Sequence, residues 1–245
     1  MKTMPFFFSS LVLALGQMAA AHAQTPAPEG RLYTPGPFDR LDVAGSAQVK
    51  LSQGERDQVF IVGDAEVQKG VTVDLSNNRL SIRPTGGWKF WNTARLQIEV
   101  QMRQLSQLIL SGASDLHAPD KIRSERLSVS ISGAGLARFD DLLVNHLRFD
   151  ISGAGDGQLS GQVGDMALSV SGKGKVQAEQ LRAASALVSI SGIGNANVWV
   201  TDTLRVSISG VGSVDYWGQP EVRRSTSGLA SITARGDKRA EPVKP

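Results

Sequence analysis

The sequence predicts an all-β fold, a right-handed parallel β-helix (solenoid) of about 20-residue coils with an irregular or antiparallel N-terminal capping region. Three observations carry this. A Ser-Gly pair returns at Ser111, Ser132, Ser152, Ser171, Ser191, Ser209 and Ser227, at intervals of 21, 20, 19, 20, 18 and 18 residues. Apolar residues alternate at period two on both sides of each pair, the mark of a strand with one buried face. A second glycine closes a Gly-x-Gly unit after five of these serines: Gly133/Gly135, Gly153/Gly155, Gly172/Gly174, Gly192/Gly194 and Gly210/Gly212.

Taken from the start of the chain, residues 1–23 hold one basic residue, Lys2, an apolar run over residues 6–15, and Ala21-His22-Ala23 as a small-residue cleavage site. This reads as a secretory signal peptide, because the apolar run is well short of the ~20 residues needed to span a bilayer. Residues 24–34, with Pro26 and Pro28, are expected to form a flexible leader. No second apolar span follows, so no transmembrane anchor is expected in the mature chain. The absence of cysteine removes disulfides, thiolate metal sites, a cysteine nucleophile and a lipid-modified cysteine. With 26 basic and 23 acidic residues and no block of Lys or Arg, nucleic acid is not an expected partner.

A single domain is expected over residues 35–236. Its first part, residues 35–105, is degenerate: Leu41, Val43, Gly45, Val49 and Leu51 follow the repeat loosely, and Asn77-Asn78 marks a hairpin turn. Residues 106–236 carry the regular repeat. Before each Ser-Gly pair stand inward-facing triplets such as Leu127/Val129/Ile131, Leu147/Phe149/Ile151 and Met166/Leu168/Val170. After it come two inward columns, Leu116/Ala137/Gly157/Val176/Ala196/Val214/Ile232 and Ala118/Phe139/Leu159/Ala178/Val198/Tyr216/Ala234. A third cluster, Ile122/Leu143/Val163/Leu181/Val200, predicts one more short strand or corner per coil. Both glycines of each Gly-x-Gly unit are expected at the turn, since glycine accepts positive φ and lets neighbouring backbones approach. Arg224 and Thr226 replace apolar column members in the last coil, and residues 237–245 are expected to be disordered.

The run Phe38-Asp39-Arg40-Leu41-Asp42-Val43, the Ser-Gly-Ala-Ser-Asp of residues 111–115, and the tandem Ser-Gly-Ala-Gly and Ser-Gly-Ile-Gly-Asn units resemble the head GIN domain family. That family is named for an autotransporter adhesin head and occurs in secreted or envelope proteins of bacteria. Gly192-Ile193-Gly194-Asn195 is the best match to its motif, and the likeness covers residues 38–234. The resemblance implies a β-helical fold and an adhesive role, and it brings no catalytic residues. Nothing after Ala234 reads as the alternating strands of a membrane barrel, so self-translocation is not expected.

Several constellations hold residues of a type that can do chemistry. Gly172-Lys173-Gly174-Lys175 lacks the spacing and the helix of a phosphate loop. Residues 153–157 resemble a calcium-binding roll, but their aspartate column reads Asp115, Leu136, Asp156, Lys175, Asn195, Ser213, Ser231 and does not stack oxygens. Asp140, Asp141, Asp150 and Asp165, with Arg138, Arg148 or Lys173 nearby, are the raw material for a β-helical carbohydrate-active enzyme, a polysaccharide lyase or hydrolase. His117 and His146 read as surface residues on different coils. Outward-facing Ser130, Ser169, Ser189 and Ser207 make a flat hydroxyl-bearing strip that can dock a glycan or a second copy, or that simply tolerates tight stacking. Trp88, Phe90 and Trp91, entered through Gly86-Gly87, can stack on sugar rings or cover the end of the solenoid. The expectation is an exported, non-catalytic binding or structural module without metal or cofactor. Its partner would be a periplasmic, cell-surface or extracellular glycan or an envelope protein, with self-association into a homo-oligomeric scaffold and the carbohydrate-active enzyme as alternatives.

Overall fold

Apolar residues spaced two apart turn one side of every strand inward, and the chain winds so that equivalent residues of successive coils lie side by side. The computed structural model describes residues 29–85 and 95–238. In chain order the elements are β1 (Gly30–Tyr33), β2 (Arg40–Gly45), β3 (Ala47–Gln53), β4 (Gln58–Val62), the short helix α1 (Ala65–Lys69), β5 (Val71–Ser76), β6 (Arg79–Pro84), β7 (Leu96–Met102) and β8 (Gln107–Gly112). They continue as β9 (Asp115–Ile131), β10 (Leu136–Ile151), β11 (Ala154–Val170), β12 (Lys173–Ile190), β13 (Ile193–Ile208), β14 (Val211–Trp217), β15 (Glu221–Thr226) and β16 (Leu229–Ala234).

From β9 to β16 every pairing is parallel and joins one coil to the next, β13 pairing with both β14 and β15, and β14 with β16. Ala137 lies against Leu116 and Gly157, and the column continues through Val176, Ala196, Val214 and Ile232 as the alternation predicts. Residues 127–131, 147–151, 166–170, 186–190 and 204–208 stack in the same way, and their inward-facing apolar members are buried. Each fully buried Val, Leu, Ile or Phe of these columns contributes about 1.5–3 kcal/mol relative to exposure. Gly157 is the hole in its column, and the ring of Phe149 fills it, with Cζ 2.6 Å from where a Cβ would stand.

The Ser-Gly corner is where the ladder breaks, while the rest of each coil runs as one bent strand of 16–18 residues. Close approach explains the first glycine of each unit. A Cβ on Gly133, Gly153, Gly172, Gly192 or Gly210 would stand 1.8–2.1 Å from the carbonyl oxygen of the equivalent glycine one coil earlier. Positive φ, the other reason expected for glycine, holds among the described corners of this kind only at Gly45 and Gly112, the corners between β2 and β3 and between β8 and β9. Across the corner the backbone still bonds coil to coil, as in Ile193 N–H to Gly172 O at 2.9 Å and Ser191 N–H to Val170 O at 2.9 Å.

The second glycine of each unit is not the turn residue that the spacing predicts. Gly155, Gly174, Gly194 and Gly212 are each the second residue of a strand, β11 to β14, and they pair with one another in register. Gly135 stands just before β10 begins at Leu136, and its carbonyl already accepts the N–H of Asp156 at 2.9 Å. None of the five has positive φ, so no turn conformation demands glycine there. Crowding does. A Cβ on Gly155 would stand 2.7 Å from Ile131 Cγ2, one on Gly194 2.9 Å from Val170 Cγ1, and one on Gly212 3.2 Å from Ile190 Cγ2. The last apolar residue before an earlier corner thus occupies the space these strand glycines leave empty. At Gly135 the Ser114 carbonyl occupies it instead, and at Gly174 and Gly212 the carbonyl oxygen of the equivalent glycine one coil earlier comes nearer than the side chain does.

The third apolar cluster also needs correction. Leu143 is exposed, and its neighbours Leu142 and Val144 point inward instead. Two columns exist where one was expected: Ile122/Leu142/Gly161/Leu181, and Val144/Val163/Ala183/Val200. Register shifts between Phe139 and Asp141, Gln158 and Ser160, and Ala178 and Arg182 break the period-two count at this corner.

The N-terminal part is more regular than its sequence suggests. β2 lies parallel between β6 and β8, and β3 parallel between β7 and β9. The first coil in the chain is therefore the second in space, and β6 with β7 lies outside it. The expected antiparallel cap is present beyond these coils: β5 pairs with β6 through a turn whose Asn77 and Asn78 have φ of 50° and 59°, and β1–β4–β7 is antiparallel. Gly30–Tyr33, within the segment read as leader, is thus a paired strand. Helix α1 lies outside the period-two pattern, and Asp64 caps it by accepting from the N–H groups of Glu66 and Val67.

Candidate functional site

Along the segments that precede the Ser-Gly corners, alternate residues face outward in columns parallel to the solenoid axis. One column reads Ile109, Ser130, Asp150, Ser169, Ser189, Ser207 and Ser225. The four serines singled out from sequence are therefore stacked in register, with Asp150 interrupting them. Two residues later in each coil comes the serine of the corner, so hydroxyl-bearing columns run side by side. None of the hydroxyls of Ser130, Ser169, Ser189 and Ser207 bonds to another described residue.

On the other side of this strip the columns change character. Two residues earlier stand Ser128, Arg148, Ala167, Leu187, Arg205 and Arg223, and two earlier again Arg126, His146, Asp165, Ser185, Thr203 and Glu221. Between these two columns lies a shallow groove of about 540 Å³. Its middle is an apolar saddle, Ala167 and Leu187, the latter 47% exposed. Arg148 and Arg205 close the saddle at either end, and Ser185 and Thr203 flank it. Arg148 is fixed by Asp150, which accepts from Nε at 2.7 Å and Nη2 at 3.0 Å, and His146 Nδ1 lies 3.1 Å from Asp165. Arg126 and Arg205 have no carboxylate partner among the described residues. The groove is thus offset by one column from the serine strip that the sequence pointed to. Leu187, its apolar centre, stands at a polar-phase position of an alternating strand, and that was the available signal.

The carboxylates considered for catalysis are not brought together. Asp140 accepts from Arg138 Nε at 2.7 Å and lies 2.8 Å from His117 Nε2. The Arg138 hydrogen bond, aided by His117 and partly opposed by burial, holds its pKa below the ordinary carboxylate value. Asp141 pairs with Lys121 at 3.2 Å. Asp140, Asp141 and Asp150 each face their own Arg or Lys and Asp165 faces the His146 ring, whereas acid/base work of the glycosidase kind needs two carboxylates facing one substrate bond. Asp115 and Asp156 accept the backbone N–H of Leu136 and Lys175 in the next coil, a capping role. Among the described residues no group of three or more His, Cys, Asp or Glu is arranged to hold a metal ion.

Trp88, Phe90 and Trp91 lie outside the described residues. Their flanks are placed: Pro84 packs against Gly45, and Leu96 N–H bonds to Ser46 O at 3.1 Å. Pro84 and Leu96 thus stand beside the Gly45–Ser46 corner, in line with the Ser-Gly corners of later coils. Corner residues at the other end form an exposed apolar line, Ile193 (59% exposed), Val211 (48%) and Leu229 (76%), stacked in register and unremarked in the sequence.

The family model "Putative auto-transporter adhesin, head GIN domain" matches residues 37–220. Among solved structures, a "putative adhesin" from Bacteroides fragilis superposes with a TM-score of 0.81 at 23% identity, covering 86% of this chain and 98% of that one. A "putative lipid binding protein" from Parabacteroides distasonis gives 0.69 at 20% identity over 86% and 97%, and a "putative adhesin" from Parabacteroides merdae 0.68 at 17% over 86% and 97%. At these identities the likeness is one of fold. No curated protein matches the chain. No helix among the described residues is long and apolar enough to cross a membrane.

Proposed function

Because the chain belongs to the head GIN domain family, we propose that it is an exported, non-catalytic adhesive module that engages an envelope or extracellular glycan through its lateral face. The observation that carries this is the Ala167–Leu187 saddle set beside the hydroxyl column of Ser169, Ser189 and Ser207 and closed by Arg148 and Arg205. A sugar ring has an apolar face and a polar rim, and this surface offers the complement to both. Rigid coils lose little entropy on contact, which favours a repeated, weak, multivalent ligand. Trp88, Phe90 and Trp91 are, in this reading, a further set of rings able to stack on a sugar.

The test is binding of the purified chain from residue 24 onward to an array of bacterial and host glycans, beside Leu187→Asp and Trp88→Ala/Trp91→Ala variants. Saturable binding lost in the Leu187 variant places the ligand in the groove, and loss in the tryptophan variant alone moves it to the loop. Silence of the wild type on every glycan overturns the proposal. A second reading, a self-associating scaffold, is favoured by the exposed line Ile193, Val211 and Leu229. Light scattering then shows an oligomer that Leu229→Lys returns to monomer.

A further inference from the structure

The last coils are shorter than the earlier ones, and the shortening creates a feature absent elsewhere in the described solenoid. A step of four residues in β12 (182−178) meets a step of one in β13 (199−198), so Glu179, Gln180 and Leu181 have no counterpart in the next coil. At this place Trp199 and Trp217 stand in register on adjacent coils. Lys238 returns over them, its Nζ 5.7 Å from each ring centroid, and donates a hydrogen bond to the backbone carbonyl of Glu179. The carboxylate oxygen Oε2 of Glu179 is buried there without a hydrogen-bond partner among the described residues. The ammonium thus meets two aromatic faces, a carbonyl and a nearby carboxylate, which together replace much of its water shell. Burial accordingly draws the Lys238 pKa below the usual lysine value, with Glu179 opposing.

We propose that this notch is a binding site for a primary alkylammonium ion, filled in the present state by the chain's own Lys238 and open to an outside amine when Lys238 withdraws. The Glu179 carbonyl needs an N–H, which a primary ammonium supplies and a quaternary one does not. The resident is loosely held. It follows Gly236, whose φ is +86° and whose Cβ position is empty within 4 Å, and its segment is secured by Gly218 N–H to Gly236 O at 3.0 Å and Gln219 Nε2 to Asp237 Oδ2 at 2.8 Å. Such an exposed segment opens at small free-energy cost. The notch shares no residue with the groove and stands independently of the glycan reading.

The test is calorimetric titration of n-butylammonium chloride, at constant ionic strength, into the wild-type chain and into Lys238→Ala. Lys238→Gln serves in its place if the alanine variant melts early. Tethering gives Lys238 an effective concentration of about millimolar order, so the wild type should bind at least about tenfold more weakly than the variant. Tetramethylammonium should bind the variant more weakly than n-butylammonium. Adding Trp217→Leu, which keeps apolar bulk without the indole, should abolish the gain. Equal binding by wild type and Lys238 variant, no saturable binding by the variant, or binding that survives Trp217→Leu overturns the proposal.

Discussion

A glycine whose missing side chain is another glycine's carbonyl space is the sharpest constraint in the molecule. In the wild type Gly172 approaches so closely that an added Cβ would lie 1.9 Å from Gly153 O. Gly172→Ala should therefore cost at least about 2 kcal/mol through forced separation of the coils. Lys173→Ala, one residue on with an exposed side chain, should stay within about 0.5 kcal/mol, and urea unfolding of both variants checks the contrast. Asp140 makes a different kind of contribution. Its pKa is lowered in the fold from 3.8, so the folded state binds the proton less readily than the unfolded chain. The stabilisation is complete above the unfolded value and is lost as pH falls through the depressed folded value. The gap in melting temperature between wild type and Asp140→Asn should shrink as pH drops below about 4, and a gap that widens there would refute the assignment.

Neighbouring coils share space, and Phe149 with Gly157 shows how. The two stand on successive segments of the chain, and the aromatic ring occupies what the glycine leaves empty. Gly157→Ala alone should destabilise by about 1–3 kcal/mol. Combined with Phe149→Leu the loss should be smaller than the sum of the single losses, with a coupling of about 0.5–3 kcal/mol in a double-mutant cycle. Additive losses would show that the ring moves aside freely. The alternation made both residues legible as inward-facing, while their complementarity was not legible, because Phe149 precedes the corner and Gly157 follows it. Gly155 and Gly194 were misread as turn residues for the same reason: the side chains that crowd them, Ile131 and Val170, belong to earlier coils.

The two ends of the solenoid are protected differently. At the N-terminal end β1, β4 and β5 add antiparallel strands over the coils. At the C-terminal end β15 and β16 are each paired on one side only. There Arg224 and Thr226 occupy the positions held by Val206 and Ile208 one coil earlier. A charge on the inward side of a last strand discourages another chain from adding to it. Arg224→Val should therefore raise the apparent mass at high concentration, read by size exclusion with light scattering, and a mass unchanged from the wild type would show that the edge is blocked by other means.

The sequence carried the inward columns, the period and the corners, since each depends on spacing within one short stretch: Val129 and Ile131 face inward whatever lies beside them. It also carried the serine strip, through the same alternation. The insertion of β2 between β6 and β8 was not in it, because any coil edge offers the same parallel hydrogen bonds, and only the summed packing of the whole end selects the order. The saddle at Ala167 and Leu187 was hidden for a related reason. Leu187 breaks the alternation in its own repeat, but the groove it centres exists only across coils. The Lys238 notch depends on a register shift at Ala178 joined to a contact between residues 59 apart in the chain. Local periodicity decides which way a side chain points, and long-range stacking decides what it meets.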